Sequence, residues 1–408
     1  MEPTAYSHIG LHPALPHAYP ATRPFLLMEG GPLFRIERRV GLIKANAPFT
    51  IRRAIWAVFF TWFVLLILSA LQGTALGKGV GIPFLRDYST YSRFLIGMPL
   101  LLVAELILGP RIAEASKHFL LSGIVKREDF QAFDSAVEST LRLRDSVIAE
   151  LAIVFLSYFV SFYASQRLAV STSTWHSIPT ETGGFTRTWA GWWLILFCTP
   201  LMHFLFFRWL WRLFLWFRFL TKVSKLNLQL FPTHPDQAGG LGFVGEAQRF
   251  FGILVFAYSC GITGVVANQI LYGKIPLQHF AASIAAYAIF VLILTTGPLV
   301  VFTGKLLATK REGLLEYGSL ATAYSGSFHR KWIQDEHSEQ EELLGSADIQ
   351  SLADLGNSYE FIEHMKPLPI DPRSLIHLIV ATLLPMVTLL LTVMPFKDVV
   401  KLLMKVIM

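Results

Sequence analysis

Long runs of apolar residues alternate with short polar stretches along most of the chain. An α-helix rises about 1.5 Å per residue, so about 20 apolar residues cross a hydrocarbon core roughly 30 Å thick. The alternation therefore predicts an all-α fold, a polytopic transmembrane helix bundle of about seven spans. The predicted spans cover residues 54–71, 94–109, 151–166, 189–207, 250–272, 275–304 and 374–394.

Basic residues mark one end of these spans. Arg52 and Arg53 precede the first span, and Arg111 follows the second. Because basic residues favour the cytoplasmic side, the pattern predicts a cytoplasmic N-terminus. On that topology we expect long helical extensions on the cytoplasmic side at 111–146 and 208–249.

The same pattern divides the chain into parts. The apolar periodicity runs unbroken from about residue 128 into the third span, which predicts one long helix. Seven spans place the C-terminal tail outside, although its lysines favour the inside. The predicted parts are a partly disordered cytoplasmic tail (1–50), a six-span bundle (51–304), a cytoplasmic helical insert (305–373), and a last span with an interfacial tail (374–408).

Composition supports the membrane assignment and removes several alternatives. Hydrophobic residues make up 53% of the chain and charged residues 15%, against about 25% charged in soluble domains. Only Cys198 and Cys260 are present, which excludes a disulfide framework and a cysteine metal site. The net charge of +7 lies at the span ends, so we expect anionic lipid headgroups rather than nucleic acid as the partner. The Pro-rich stretch up to about residue 30 lacks the apolar run of a signal peptide and predicts a loosely packed tail. The three histidines of this tail, His8, His12 and His17, indicate neither a metal site nor a cofactor.

Four polar residues inside the predicted spans are candidates for a transport path. Glu105 lies near the cytoplasmic end of the second span, His203 near that of the fourth, and Thr295 with Thr296 in the cytoplasmic half of the sixth. An ionised carboxylate at the bilayer centre costs roughly 2.5–3.5 kcal/mol on insertion scales, so it faces a cavity or a partner. We expect His203 to be that partner, with Arg208, one turn further along, as the alternative. For His203, a hydrogen-bonded packing role is the competing interpretation.

A cluster of basic and aromatic residues follows the fourth predicted span. Its basic members share an arc of roughly 140° on a helix, which is typical of side chains that reach anionic headgroups at the membrane surface. The spacing does not repeat every third position within an apolar core, as a voltage sensor would. The basic members are Arg208, Arg212, Arg218, Lys222 and Lys225.

The loop 231–246 between the fourth and fifth spans interrupts the apolar pattern with prolines and glycines. Residues 240–245 match G-x-G-x-x-G, but a helical pattern rather than a strand precedes them, so we expect no dinucleotide site. The composition predicts a tight cytoplasmic turn in which Asp236 or Thr233 caps the helix that opens the fifth span. The alternative is an ion or proton site at a helix terminus. Its candidate residues are His234, Asp236, Gly239, Gly240 and Gly242.

Three parts of the sequence resemble a family of uncharacterised bacterial inner-membrane proteins. They are HPDQAGGLGF at 234–243, EYGSLA with FHRKW at 316–332, and GSADIQSLADLGNS at 345–358. The resemblance covers most of the chain after residue 50 and implies a multi-pass protein of the bacterial inner membrane, but it implies no activity. In span count and long cytoplasmic helices, the chain is also similar in topology to insect odorant-receptor channels.

Three functions follow from these features. The buried polar residues favour a channel or transporter for a small ion or polar solute, for which we expect a homo-oligomer. A scaffold or sensor would bind a cytoplasmic partner through 305–373, which is rich in aromatic residues such as Trp332 and Tyr317. An intramembrane enzyme acting on a lipid-linked substrate would use His234 as the base and Asp236 to orient it. No activated nucleophile accompanies that pair, which disfavours an enzyme.

Overall fold

The computed structural model describes residues 24–39, 41, 49–77, 79–167, 173–180, 185–334, 347–395, 397–398 and 404. Within these residues all regular structure is helical except one two-stranded hairpin, and seven helices are long and apolar enough to cross a membrane. The predicted all-α bundle of seven spans is therefore confirmed. The spans, numbered first to seventh below, are Ile51–Leu71, Tyr88–Leu121, Val147–Gln166, Trp189–Val223, Gly242–Leu271, Leu277–Ile333 and Pro372–Thr392.

Most spans combine α-helix with short segments of wider or tighter helix. The α-helices are Pro32–Arg39, Phe49–Val58, Val64–Leu71, Tyr88–Thr90, Met98–Leu121, Phe130–Arg144, Val147–Arg167, Trp189–Trp193, Thr199–Val223, Gly242–Arg249, Gly252–Leu271, Ala281–Thr296, Thr303–Phe328, Ala347–Glu363 and Pro372–Val387. The 3₁₀-helices are Phe84–Arg86, Arg127–Asp129, Leu277–Phe280, Gly297–Phe302 and Thr388–Thr392. A π-turn at His329–Ile333 ends the sixth span. The strands are Ser177–Pro179 and Phe185–Arg187.

Wide π-turns interrupt the first, second and fourth spans at Phe59–Phe63, Tyr91–Gly97 and Leu194–Cys198. In the second and fourth spans, the π-turn ends two residues before a proline, Pro99 and Pro200. Proline has no N–H and its ring clashes with the carbonyl one turn back, so the regular hydrogen-bond ladder stops there. The turn of the first span packs against the other two, and the three widened segments meet inside the bundle.

The fifth span is the most enclosed, with 61% of its most apolar window buried, against 11% for the third span. Glycine makes this close packing possible. A Cβ on Gly264 would overlap the hydroxyl of Ser92 and the carbonyl of Tyr88 on the second span. Gly97 of the second span in turn approaches the carbonyl of Ala257. The second and fifth spans are therefore in near-backbone contact, while the third span lies at the edge.

The polar segments gather at two ends of the bundle. Hydrogen bonds hold each end together, for example from Trp189 N to Gln72 Oε1 (2.8 Å) at one end and from Lys366 N to Gln237 O (2.7 Å) at the other. Which end faces the cytoplasm stays a prediction of the positive-inside rule. The hairpin end comprises residues 72–87, 173–188 and 272–276, and the basic end comprises 24–39, 122–146, 224–241 and 334–371, as far as the structure describes them.

The basic end differs from the sequence prediction in two places. The single long helix predicted from about residue 128 is wrong, because the chain turns between Phe130–Arg144 and Val147–Arg167. Asp145 lies at that turn and accepts hydrogen bonds from the Arg144 guanidinium (2.9 and 2.7 Å) and from Gly31 N (2.8 Å). The expectation of loose packing up to about residue 30 does not hold at Phe25, which is buried and stacks on Phe219 at 4.4 Å.

The insert forms the predicted helical pair. Ala347–Glu363 packs alongside Thr303–Phe328, and Asp348 accepts hydrogen bonds from Lys331 Nζ and Trp332 Nε1, both at 3.0 Å. These bonds lower the pKa of Asp348. The acidic stretch 335–342, the histidines of the N-terminal tail and most of the predicted interfacial tail after 395 lie outside the described residues.

Candidate functional site

A cavity of about 500 Å³ lies among the fourth, fifth and sixth spans, within the part of the bundle that crosses the membrane. Cavities of about 300–1,000 Å³ with an apolar lining and a few polar groups are the usual form of small-molecule sites. This cavity has that composition. Its apolar lining includes Leu213, Phe251, Leu254, Val255, Val266 and Phe290, and its polar lining consists of Arg93, His203, Tyr258, Tyr287 and Thr295.

A change of helix type in the sixth span borders this cavity. The α-helix ends at Thr296 and continues as the 3₁₀-helix Gly297–Phe302, which packs on the fourth span. Pro298 has no N–H and prevents the regular hydrogen-bond ladder here. The side-chain amide of Gln248 donates to the carbonyl of Thr295 and accepts from Trp216 Nε1 (2.9 Å). Gln248 therefore satisfies the backbone carbonyl of Thr295 at the irregular turn, and Thr295 itself lines the cavity.

The polar groups of the cavity differ in how well they are satisfied. His203 shares a hydrogen bond with Ser161 of the third span (2.8 Å), and Tyr287 shares one with Ser259 (3.1 Å). The hydroxyl of Tyr258 is buried and has no hydrogen-bond partner among the described residues. A buried polar atom without a partner is uncommon and costs about 1–3 kcal/mol, so the Tyr258 hydroxyl marks the cavity as a place for a polar group.

Arg93 is the charged residue of the cavity lining. Its guanidinium donates from Nε to the carbonyl of Ser89 (3.2 Å) and from Nη2 to the Ser89 hydroxyl (2.6 Å). Among the described residues no carboxylate oxygen lies within 4.0 Å of it. The nearest acid along the chain is Asp87, to which Arg93 is linked through the Ser89 hydroxyl rather than by a direct ion pair.

The opposite face of the fourth span holds a buried charge cluster around Glu105. Glu105 accepts from Arg53 Nη1 (3.0 Å) and from Arg212 Nη1 (2.8 Å), and Arg208 Nη1 lies 4.0 Å from it. Arg53 also pairs with Glu37 (2.9 Å). The prediction that His203 is the partner of Glu105 is therefore wrong. Arg208, the alternative, is close to Glu105 but makes no hydrogen bond to it.

The charge cluster, defined as Glu37, Arg53, Glu105, Arg208 and Arg212, holds three guanidinium groups and two carboxylates. Arg208 Nη1 and Glu37 Oε2 are buried without a hydrogen-bond partner in the described structure. Burial raises the pKa of Glu37, although Arg53 and Arg208 oppose that shift. Ion pairs removed from water stabilise a fold only when their geometry is good and their remaining atoms are satisfied, so this cluster is costly to maintain.

Two of the arginines were assigned to the membrane surface on sequence grounds, and that assignment is wrong. Arg208 and Arg212 are 7% and 4% exposed. Arg212 donates to the carbonyl of Met28 (3.2 Å) and lies over the Trp209 ring at 4.9 Å. The N-terminal segment around Met28 therefore covers the arginine face of the fourth span.

The loop 231–246 folds around Asp236. The carboxylate accepts from the backbone amides of Ala238 (2.8 Å), Gly240 (3.1 Å) and Gly242 (2.8 Å), and it pairs with His234 Nδ1 at 2.8 Å. Gly242 is the first residue of the helix that opens the fifth span, so Asp236 satisfies one of its free backbone amides, but the N-cap residue is Leu241 and not the expected Asp236 or Thr233. The two glycines at 239 and 240 supply positive φ angles of 63° and 95° that other residues rarely adopt.

A second cavity of about 330 Å³ opens beside this loop and brings His234 and His118 to one lining. His118, from the end of the second span, meets the Phe243 ring edge-on at 4.5 Å. Sequence reasoning missed His118, because nothing in the local sequence relates it to a loop more than 100 residues away. In the part of the chain that is described, no group of three or more His, Cys, Asp or Glu residues could hold a metal ion.

The predicted polar residues thus fall into three places rather than one. His203 and Thr295 line the intramembrane cavity, Glu105 and Arg208 belong to the charge cluster, and the hydroxyl of Thr296 returns to the carbonyl of Leu292 (2.7 Å). Sequence reasoning missed other residues that complete these sites. The missed residues are Glu37, Arg53, Arg93, Arg212 and Tyr258, of which Arg93 was placed in the external loop before the second span.

Comparison of the chain with family models, with curated proteins and with solved structures finds no match in any of the three. The resemblance to bacterial inner-membrane proteins stays a prediction.

Proposed function

We propose that the protein is a membrane transporter for an amphipathic molecule, which it binds in the intramembrane cavity. The observation that carries the proposal is a ligand-sized space, about 500 Å³, that the fourth, fifth and sixth spans line mainly with apolar side chains. An ion or a strongly polar solute would need several polar partners to replace its water. The lining supplies few, and the two tyrosines and Arg93 suit a molecule with one polar part.

The proposal extends to location and orientation. A chain with seven spans lies in a membrane, and we assign it to the bacterial inner membrane with the basic end in the cytoplasm. On this assignment, the Arg93 side of the cavity faces the outer leaflet. The predicted homo-oligomer and the cytoplasmic partner of residues 305–373 stay predictions.

Reconstitution into liposomes tests transport directly. NBD-labelled lysophospholipids with neutral and anionic head groups are placed in the inner leaflet, and their appearance outside is followed by dithionite quenching. We expect faster movement than in empty liposomes. Val255→Trp should remove the gain, because Val255 is buried in the cavity wall and the larger ring would fill the space.

Ile293→Trp is the matched control, because Ile293 lies on the same stretch of the sixth span as the cavity but is 65% exposed on the outside of the bundle. It should leave movement unchanged. Equal rates in empty and protein-containing liposomes, or equal loss in both variants, would contradict the proposal.

A channel or transporter for a small ion is the second candidate, and the charge cluster favours it. Its three guanidinium groups outnumber its two carboxylates, and the Arg208 Nη1 atom has no hydrogen-bond partner in the described structure. Ion flux into proteoliposomes tests this second candidate. A change of flux in Arg208→Gln, but not in the control Arg86→Gln, would support an ion channel or transporter; Arg86 is an exposed arginine of the hairpin end. If the flux of K⁺, Cl⁻ and H⁺ is no greater than in empty vesicles, the ion-transport function is wrong.

A further inference from the structure

Arg93 occupies an unusual position for a cation. It lies five residues after Tyr88, where the second span begins, which places its backbone about 8 Å along the helix into the membrane-spanning part. An ionised side chain at such depth is costly, and it normally faces a partner or a cavity. Arg93 lines the cavity, and its hydrogen bonds within the described structure go to Ser89, a neutral residue on its own helix.

Asp87, the nearest acid along the chain, is linked to Arg93 only through Ser89, whose hydroxyl accepts from Arg93 Nη2 (2.6 Å) and donates to Asp87 Oδ1 (2.8 Å). Asp87 accepts hydrogen bonds from Ser89, Thr90, Trp175 and Asn268. No carboxylate oxygen of the described residues approaches Arg93 within 4.0 Å, so the cavity has a positive charge at its wall without a direct counter-ion. A ligand with an anionic group would supply that counter-ion in a low-dielectric site, where charge-assisted hydrogen bonds are strongest.

The shape of the cavity indicates the rest of the ligand. Along the fifth span the lining runs from Phe251 to Val266, about 22 Å at 1.5 Å per residue. Gly261 packs against the side chain of Arg93, so the guanidinium lies nearer the Val266 end. From there about 15 Å of apolar wall extends to Phe251, which matches an extended alkyl chain rather than a compact ring system.

A second polar group lies on that wall. Tyr258 is one turn of helix from Gly261 towards Phe251, and its buried hydroxyl lacks a partner in the described structure. This hydroxyl belongs to the same cavity lining as Arg93 and can donate a hydrogen bond to an anionic oxygen.

We propose that the occupant is a single-chain anionic amphiphile, a carboxylate or phosphate monoester on an alkyl tail. Its head group pairs with Arg93 and the Tyr258 hydroxyl, and its tail lies along the wall towards Phe251 and Leu213. This inference rests on the proposed transport function and names its substrate class. The two anions share the same recognition chemistry and differ in charge, so a direct comparison separates them.

Competition binding in nanodiscs of neutral phospholipid tests the inference. The bound probe is a diazirine-labelled lauryl chain that crosslinks to the cavity wall, and laurate, lauryl phosphate and lauryl alcohol compete for it. In the wild-type protein we expect the anions to compete at least tenfold better than the alcohol. A greater advantage for lauryl phosphate assigns the phosphate monoester, and equal or better competition by laurate assigns the carboxylate.

Arg93→Gln should weaken both anions at least tenfold and leave the alcohol unchanged, because only the charged contact is lost. Arg93→Lys retains the charge and should restore most of the anion preference. Arg86→Gln is the matched control, since it removes the same charge from the exposed surface of the hairpin end and should change nothing. Tyr258→Phe should weaken the anions by a smaller factor, and it serves as the test if Arg93→Gln fails to fold.

The outcomes separate this inference from the transport proposal. If the alcohol competes as well as the anions, or if folded Arg93→Gln retains the anion preference, the anionic ligand is wrong and the cavity remains an amphiphile site. If the probe labels wild-type protein and Val255→Trp equally, or labels neither, the cavity binds no alkyl chain and both proposals fail.

Discussion

Two buried carboxylates, one just before the second span and one near its middle, are satisfied in opposite ways. Asp87 receives hydrogen bonds only from neutral groups, namely the amides and hydroxyls of Ser89 and Thr90, the indole of Trp175 (2.8 Å) and the amide of Asn268 (2.6 Å). Glu105 receives hydrogen bonds from two arginines, with a third at 4.0 Å.

The difference concerns what each carboxylate holds in place. The donors to Asp87 come from the second span, the hairpin and the fifth span, and each has a fixed direction, so Asp87 joins three segments rigidly. Burial alone would raise the pKa of Asp87, but hydrogen bonds from Thr90, Trp175 and Asn268 and the charge of Arg93 lower it. Ion pairs are less directional, and the charge cluster has unsatisfied atoms left over. We infer that the hairpin end is the rigid end of the bundle.

The largest expected effect follows from removing the carboxylate of the charge cluster. Glu105→Gln leaves Arg53, Arg208 and Arg212 without their common counter-ion, and breaking a buried pair in this way costs about 3–5 kcal/mol. We expect a large fall in the melting temperature of the detergent-solubilised protein.

The double variant Glu105→Gln with Arg212→Gln should lose less than the sum of the single variants, because the second change removes the uncompensated charge. Strict additivity of the two losses would show that Glu105 and Arg212 are not coupled, contrary to their 2.8 Å separation.

Asp87→Asn should have a smaller and more local effect. It keeps one acceptor oxygen but turns the other atom into a donor that faces donors from Thr90 and Trp175, which costs about 1–3 kcal/mol for the unsatisfied groups. Hydrogen exchange should accelerate at 173–179 and at the start of the second span, and stay unchanged in the helix Phe130–Arg144. Equal acceleration of hydrogen exchange at both ends would show that the hairpin end is no more rigid than the basic end.

A moderate pH effect is expected at the hairpin end. Burial lowers the pKa of His176 to about 4, against an unperturbed value of about 6.5. The unfolded chain therefore takes up a proton at higher pH than the folded protein does, and the stability from neutral His176 is lost as the pH falls from about 6.5 to about 4. The melting temperature should decline over that range, and less so in His176→Gln.

Labelling of a single cysteine should leave stability unchanged and identify which end is which. In a variant without Cys198 and Cys260, Gln237→Cys at the basic end should react with a membrane-impermeant maleimide only from the cytoplasmic side. Reaction from outside would invert the topology, and it would place the rigid hairpin end in the cytoplasm.

Apolar periodicity was enough to predict the bundle, because each span is decided by local sequence. The predicted starts and ends of the first, third and seventh spans lie within a few residues of Ile51–Leu71, Val147–Gln166 and Pro372–Thr392. The break at Asp145 was missed because its cause is not local. Arg144 adjoins Asp145, but Gly31, which also binds Asp145, lies 114 residues away in the chain.

The site residues were harder to predict because their partners come from distant parts of the chain. Glu105 stood out as an isolated charge in a span, but Arg53 and Arg212 were interpreted as surface residues by the same rule that placed the span ends. Matching depths along two helices gave His203 as the partner of Glu105. Depth does not specify which face of a helix points at a neighbour, and His203 lies on the cavity face of the fourth span while Arg208 and Arg212 lie on the other.

The π-turn Leu194–Cys198 determines which residues of the fourth span occupy those two faces. A π-turn accommodates one residue more than an α-helical turn, and each residue corresponds to about 100° of rotation. If the same residues formed a regular α-helix instead, everything after Cys198 would be rotated by about that angle. Arg208 and Arg212 would then turn away from Glu105, and Trp209 and Leu213 away from the cavity, so both faces depend on the wide turn.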